Sequence, residues 1–325
     1  MMETNTINLS LNYMDSGYED TQEDRKYWCI TENYPTLIIS GVFLFVSLCG
    51  LVGNMVVIWF LGFQMKKNPF TVYVLNLSIA DFSLLLLSLV RLTLHFISAV
   101  NCFSPFGYNV INFILTILPV FCYYASMYLL TAMSMERCAS VLFPIWYRCH
   151  RPKRFSGIMC RVLWALAGLV SLAFIGCPLY FPRDCLKVFH GFSAANFLIF
   201  AFFPLLSNLF LFVRLRCGSQ RQHPGKLYVA ILLSMIFMFI FGLPPTLGFL
   251  LDAFDIPPYI FFIFSLPAPL NSSINPVIYF LVGSYRQRRF HHGSVKVALR
   301  RVFEEKATSE EESRVPEDTM VETTV

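Results

Sequence analysis

Charged residues are scarce in this chain of 325 residues: Asp, Glu, Lys and Arg make up 14%, against 56% hydrophobic residues. A typical soluble domain has about 25% charged and about 45–50% apolar residues. The scarcity of charge excludes a disordered chain, because disorder requires low hydrophobicity and high charge. It also argues against a soluble globular protein, whose surface needs more polar groups than this composition supplies.

Charge is absent or sparse in seven long apolar runs. A helix needs about 20 apolar residues to cross roughly 30 Å of hydrocarbon, and each run is long enough. The runs lack the alternation of apolar and polar residues that barrel strands show. The sequence therefore predicts an all-α membrane protein, a bundle of seven transmembrane helices over 36–63, 70–96, 108–135, 155–179, 193–213, 227–251 and 258–283.

Lys and Arg are distributed unequally among the connecting segments. Sixteen lie on the side that includes the C-terminus, and four lie on the other side. Because basic loops stay in the cytoplasm, we expect an extracellular N-terminus and a cytoplasmic C-terminus. The expected organisation is an extracellular segment over 1–35, a membrane domain over 36–283, an amphipathic cytoplasmic helix over 284–303 and an acidic cytoplasmic tail over 304–325.

The predicted outer side carries two kinds of modifiable residue. Asn8-Leu9-Ser10 is an N-glycosylation sequon in the outer segment, so Asn8 is the expected acceptor. The similar triplets at Asn76 and Asn271 lie inside predicted spans and are rejected. Four cysteines face outward, where disulfides persist: Cys29, Cys102, Cys177 and Cys185. Four cysteines can pair in three different ways.

Polar residues lie at matched depth in four different spans. At a rise of about 1.5 Å per residue, they lie about 14–16 Å from the inner ends of their helices: Asn54, Asp81, Ser126 and Asn275. Asn271 and Ser272 lie one turn further out. A buried Asp81 carboxylate needs polar partners, a cation or a proton. We expect a polar core that holds a small cation such as sodium; the alternative is a purely structural hydrogen-bond network.

Motifs on six of the spans resemble those of the rhodopsin-like G-protein-coupled receptors. They are Gly53-Asn54, Leu77-x-x-x-Asp81, Trp164, Pro204, Pro244 and Asn275-Pro276-Val277-Ile278-Tyr279. The segment Pro144–Pro152, Glu136-Arg137-Cys138 and Gly242-Leu243-Pro244 are similar to those of the Mas-related receptor family. The resemblance covers about residues 37–303.

The resemblance implies a cell-surface receptor that binds an extracellular ligand, a peptide or another small molecule, and activates heterotrimeric G proteins. It implies an inner switch built from Glu136, Arg137, Asn275, Pro276 and Tyr279. It further suggests a Cys177–Cys185 disulfide, which would leave Cys29 and Cys102 as the remaining pair. Gly242 departs from the wider class, in which a Trp usually fills this position, so the usual account of an aromatic switch does not transfer.

Polar residues in the outer halves of the spans are candidate ligand contacts: Arg91, Asn112, Thr116, Tyr123 and Asp252. Arg91 is placed either to pair with a ligand carboxylate or to extend its charge to the outer membrane interface. At the C-terminus, Thr323 and Val325 fit a PDZ-domain ligand, which captures a terminal carboxylate. Hydroxyl residues of the tail are candidate phosphorylation sites for arrestin recruitment.

Other function classes lack support in the sequence. An enzyme is not expected, because the chain has no Walker loop, no His-Glu-x-x-His and no Gly-x-Ser-x-Gly. A retinal-binding protein would need a lysine in the last span, and none occurs between Lys226 and Lys296. A seven-span transporter or channel is the alternative, although no internal repeat relates the spans.

Overall fold

The computed structural model describes residues 34–65, 68–101, 105–152, 154–180, 185–217, 226–251, 267–284 and 295–303. Every element within these ranges is helical. In chain order the elements are α1 (Tyr34–Trp59) with a π-helical turn (Phe60–Gln64), α2 (Pro69–Asn101), α3 (Pro105–Leu142), α4 (Pro144–Cys149), α5 (Phe155–Tyr180), α6 (Cys185–Cys217), α7 (Lys226–Phe237) with a π-helical turn (Met238–Gly242), α8 (Leu243–Leu251), α9 (Pro267–Ser284) and α10 (Val295–Phe303).

Six stretches of helix in the described ranges are long and apolar enough to cross a membrane: Ile38–Gln64, Pro69–Leu94, Phe113–Leu142, Phe155–Phe174, Lys187–Val213 and Tyr228–Gly248. The seventh predicted span, 258–283, contains α9, and its outer part lies outside the described residues. Three helices extend furthest beyond their predicted spans, since α2 continues to Asn101, α3 continues to Leu142 and α6 begins at Cys185. The extensions of α3 and α6 carry charged side chains, which reach the polar interface where the helix leaves the hydrocarbon.

The centre of the bundle is α3. Every residue from Cys122 to Thr131 is buried, and a helix that is buried on all sides lies in the interior of a bundle. The other spans expose large apolar side chains on their outer faces, for example Phe45 and Phe63. Exposed apolar surface on this scale fits contact with lipid.

Two glycines let α1 and α9 approach each other closely. A Cβ atom at Gly50 would overlap Ser273 Oγ, and one at Gly53 would lie 2.9 Å from Pro276 Cβ. Only a residue without a side chain fits at these positions. The close approach brings the amide of Asn54 within reach of the α9 backbone.

A π-helical turn interrupts the span formed by α7 and α8. The turn Met238–Gly242 is followed by Pro244 and Pro245. Neither proline has an N–H, so the carbonyl groups four residues earlier lose their usual helical donors. These are the carbonyl groups of Ile240 and Phe241. The carbonyl of the next residue, Gly242, accepts a hydrogen bond from α3.

Candidate functional site

The Asp81 carboxylate is the centre of a buried hydrogen-bond network. Ser126 Oγ and Ser272 Oγ donate to Asp81 Oδ1 over 2.7 Å and 2.8 Å. Asn275 Nδ2 donates to Asp81 Oδ2 over 2.9 Å. Asp81 is fully buried, so these three donors replace the water that the carboxylate would otherwise bind. The network joins α2, α3 and α9.

Asn54 connects α1 to the same network. Its Nδ2 donates to the Gly50 carbonyl and to the Ser272 carbonyl, each over 3.0 Å. The second bond crosses from α1 to α9 at the level of the Asp81 partners. The four residues that the sequence places at one depth therefore share one network across four helices, with Ser272 between Asn54 and Asp81.

The polar core offers a ligand set that fits a small cation. Among the described residues, three buried amide oxygens have no hydrogen-bond partner: Asn54 Oδ1, Asn271 Oδ1 and Asn275 Oδ1. Hard cations prefer oxygen ligands such as carboxylates, amides and hydroxyls. No group of three or more His, Cys, Asp or Glu that could hold a metal ion occurs in the described part of the chain. One carboxylate among neutral oxygens suits a monovalent cation such as sodium.

Tyr123, a predicted ligand contact, links α3 to the interrupted span. Its hydroxyl donates to the Gly242 carbonyl over 2.6 Å and lies 2.5 Å from Thr246 Oγ1. The Tyr123 side chain is buried, so its polar end is used inside the bundle. The space beside Gly242 is filled by Met127, since a Cβ atom at Gly242 would lie 2.9 Å from Met127 Sδ.

The carboxylate of Glu136 binds residues of the segment between α3 and α5. Arg151 Nη2 donates to Glu136 Oε1 and to Ser156 Oγ, and the Tyr147 hydroxyl donates to the same Glu136 oxygen over 3.1 Å. Burial, with the nearby Glu136 charge, raises the pKa of Tyr147 to about 12. The phenol therefore stays protonated and able to donate at physiological pH. These contacts fix α4 and the start of α5 to α3.

Arg137 has a different neighbour from Glu136. Its guanidinium lies 4.4 Å from the centre of the Phe70 ring on α2, a cation–π contact. Within the described structure, Arg137 Nε and Glu136 Oε2 have no hydrogen-bond partner. The acidic residue and the arginine are adjacent in sequence, but the structure directs them to different helices.

The remaining predicted switch residues lie on α9. Pro276 contacts the α1 glycine Gly53, and Asn275 belongs to the Asp81 network. Tyr279 is 2% exposed, and its ring packs against Phe303 of α10 with centroids 5.7 Å apart. One helix thus joins the polar core to the end of the bundle that α10 covers.

The predicted ligand contacts are only partly described. Arg91 is exposed and Thr116 is half-buried, whereas the side chain of Asn112 and the whole of Asp252 lie outside the described residues. In the outer half of the described bundle, aromatic rings pack between α5 and α6, where the Phe174 and Phe189 centroids are 4.4 Å apart.

Several other predicted positions give no structural information. Asn8, Cys29, Cys102, Thr323 and Val325 lie outside the described residues. Cys185 is a free thiol in the structure, and the side chain of its predicted partner Cys177 lies outside the described residues. The Cys177–Cys185 disulfide therefore stays a prediction.

Sequence reasoning missed two polar contacts between helices. Trp164 Nε1 on α5 donates to Asn76 Oδ1 on α2 over 3.1 Å, and the Tyr128 hydroxyl on α3 donates to Asn196 Oδ1 on α6. A polar side chain inside each apolar span is the signal that could have found them. The sequence identifies Asn76 only as part of a glycosylation triplet and does not predict its hydrogen bond with Trp164.

Comparison with known proteins identifies the family. The family model "7 transmembrane receptor (rhodopsin family)" matches residues 53–279. Proto-oncogene Mas of Mus musculus is 39% identical over 282 residues, 83% of this chain and 85% of that protein. Proto-oncogene Mas of Homo sapiens is 39% identical over 279 residues, 82% of this chain and 84% of that protein.

A further relative, Mas-related G-protein coupled receptor member B2 of Mus musculus, is 37% identical over 302 residues, 87% of this chain and 84% of that protein. These matches confirm the predicted seven-helix bundle, the multi-pass membrane location and the receptor class. They do not favour the alternative of a transporter or channel. The chain belongs to the rhodopsin family of seven-transmembrane G-protein-coupled receptors, within its Mas-related group.

Proposed function

We propose that the polar core around Asp81 holds a sodium ion and controls how readily the inner face of this receptor couples to a heterotrimeric G protein. The observation that carries the proposal is the network that joins α1, α2, α3 and α9 through Asp81, Ser126, Ser272 and Asn54. A cation bound there would stabilise one packing of these helices. Coupling requires a second packing, so the cation would lower basal activity.

The test is basal nucleotide exchange on G proteins, measured in receptor-containing membranes. Exchange is compared in sodium chloride and in N-methylglucamine chloride at equal ionic strength. We expect sodium to lower exchange by the wild type and to have no effect on Asp81→Asn. Ser78→Ala, a buried substitution one turn away on α2, should keep the sodium effect. A wild type that responds equally in both salts would leave only a structural role for the network.

The route from the outer side to the inner face passes through Tyr123. Its hydroxyl holds the Gly242 carbonyl and Thr246 at the point where prolines and a π-helical turn weaken the span. A ligand that displaces Tyr123 would release this span from α3. Glu136 and Arg137 lie further along α3, toward its inner end. Movement of the released span relative to α3 would therefore change the surface that these residues offer to a G protein.

Orientation follows from the unequal distribution of basic residues. The inner connecting segments carry most of the Lys and Arg, which supports a cytoplasmic C-terminus. Epitope tags at the two ends should stain differently in intact cells: the N-terminal tag stains directly, and the C-terminal tag stains only after permeabilisation. Staining of both tags in intact cells would contradict this topology.

The extracellular ligand is proposed to be a peptide or another small molecule that offers an acceptor group to Arg91. A matched pair of peptides, one with a free C-terminal carboxylate and one amidated, separates this role from an interfacial one. Arg91→Gln should weaken the response to the free acid and leave the response to the amide unchanged. Equal losses for both peptides would argue against pairing with a carboxylate.

The two termini and two outer cysteines supply further proposed sites. Asn8 would carry the glycan, which endoglycosidase treatment removes with a loss of mass. Cys177 and Cys185 would pair in the oxidising extracellular medium, which peptide mapping without reduction detects. Thr323 and Val325 would bind a PDZ domain, and a phosphorylated tail would recruit arrestin. An added C-terminal residue that leaves PDZ binding unchanged would contradict the PDZ proposal.

A further inference from the structure

The apolar face of α10 lies against the inner end of the bundle. Leu299, Val302 and Phe303 are 2%, 0% and 4% exposed, whereas Val297 on another side of the helix is 38% exposed. The helix contacts both α9 and α7. In the structure this apolar face is covered by the bundle, whereas a helix that lay on the inner leaflet would turn it toward lipid.

Phe303 brings α10 close to the inner switch. Its ring packs against Tyr279 and lies 6.4 Å, between centroids, from the ring of Phe70. Asn68 Nδ2 donates to the Phe303 carbonyl over 3.4 Å. The guanidinium of Arg137 lies over the same Phe70 ring. One aromatic ring therefore lies between the end of α10 and Arg137.

We propose that the surface formed by Phe70, Tyr279 and the inner end of α7 is a docking surface for the apolar face of a helix, and that α10 occupies it in the resting receptor. A G protein then couples only after α10 has left. The proposal rests on the coupling proposed above and adds a competitor for the inner surface. Two helices cannot bury their apolar faces against the same rings, so their binding is mutually exclusive.

A second location for α10 exists at the membrane surface. The helix Val295–Phe303 contains three basic residues and no acidic residue, and basic amphipathic helices bind anionic inner-leaflet lipids. The resting and released positions therefore bury the same apolar face, once against the bundle and once in the leaflet. The proposal requires that the two positions differ in free energy by no more than binding of the G protein can supply.

Thiol labelling measures the docking without any signalling assay. Val302→Cys and Val297→Cys are made in the full-length receptor in which Cys149 and Cys217 are replaced by Ser, and are labelled with a maleimide in inside-out membranes. We expect the thiol of Val302→Cys to be labelled more slowly than that of Val297→Cys, by about tenfold or more. Added nucleotide-free G protein should speed labelling of Val302→Cys and leave Val297→Cys unchanged. Equal rates for the two variants would overturn the proposal, whatever the receptor does to G proteins.

Signalling is tested with a matched pair of substitutions. Val302→Asp places a charge in the docked interface, and Val297→Asp places the same charge outside it. Both change the net charge of α10 equally. Val302 is fully buried, and a charge without a partner is strongly disfavoured in a buried apolar interface. We therefore expect Val302→Asp to raise basal nucleotide exchange by about threefold to tenfold, while Val297→Asp stays at the wild-type level.

The two assays separate the two proposals. Slow labelling of Val302→Cys shows that α10 is docked. If the two Asp variants then give equal nucleotide exchange, and the wild type gives more exchange than receptor-free membranes, the proposed competition between α10 and the G protein is wrong. If no variant gives more nucleotide exchange than receptor-free membranes with any class of G protein, the proposed coupling is wrong. The labelling of Val302→Cys with and without G protein still tests the docking of α10.

Discussion

Replacing Arg151 with methionine would leave the Glu136 carboxylate without its cation. Both side chains are nearly buried, with exposures of 5% for Arg151 and 10% for Glu136. Removing one partner of a buried ion pair costs about 3–5 kcal/mol, because the other charge stays buried. One kcal/mol lowers the melting temperature of a medium-sized chain by about 2–4 °C. Arg151→Met should therefore unfold at least about 6 °C lower than the wild type.

The assay is thermal unfolding of the purified receptor in detergent, followed by intrinsic fluorescence. Arg154→Met, an exposed position of the same segment, is the control and should change the melting temperature little. Glu136→Gln removes the other charge. If the pair is real, the double variant loses less stability than the two single losses together. Additive losses, or an Arg151→Met receptor as stable as the Arg154→Met control, would refute the reasoning.

The same substitution has a consequence for coupling. The Glu136 carboxylate, once released from Arg151, is next in sequence to Arg137 and can attract its guanidinium away from Phe70. Basal nucleotide exchange should therefore fall in Arg151→Met and recover when Glu136→Gln is added, because the glutamine carries no charge. Exchange that falls equally in the single and the double variant would point to damage of the second inner loop and not to competition for Arg137.

Three further substitutions test the contacts between helices. Gly50→Ala should separate α1 from α9 and lower the melting temperature, while Gly41→Ala, with nothing within 4 Å of its Cβ position, should leave it unchanged or raise it slightly. Gly242→Ala should cost about 1–3 kcal/mol by overpacking against Met127, and Met127→Ala in the same chain should restore part of the loss. Tyr123→Phe should lower the free energy of unfolding by about 1–3 kcal/mol, because the Gly242 carbonyl and Thr246 lose a hydrogen-bond partner. An unchanged melting temperature in Gly50→Ala, Gly242→Ala or Tyr123→Phe would contradict the packing described.

Depth along a helix is predictable from sequence, and this explains which of the candidate residues the structure brings together. The rise per residue is fixed, so counting from the inner end places Asn54, Asp81 and Asn275 at one level. The structure joins them by hydrogen bonds. Direction around the helix axis and the path of a loop are not fixed in this way. Arg151 reaches Glu136 across a turn of the chain, and no periodicity relates the two residues.

The location of α10 shows why amphipathicity does not decide what a helix contacts. The pattern of Leu299, Val302 and Phe303 predicts an apolar face, and lipid and the inner end of the bundle both satisfy it. The choice depends on surfaces far away in sequence, such as Phe70 and Tyr279, which form only when the spans have packed. The local sequence pattern therefore predicts the apolar face, but the surface that covers this face exists only in the folded bundle. In this receptor the Phe70 ring lies between Phe303 of α10 and the Arg137 guanidinium. We therefore expect the location of α10 and the arrangement of the inner switch to change together.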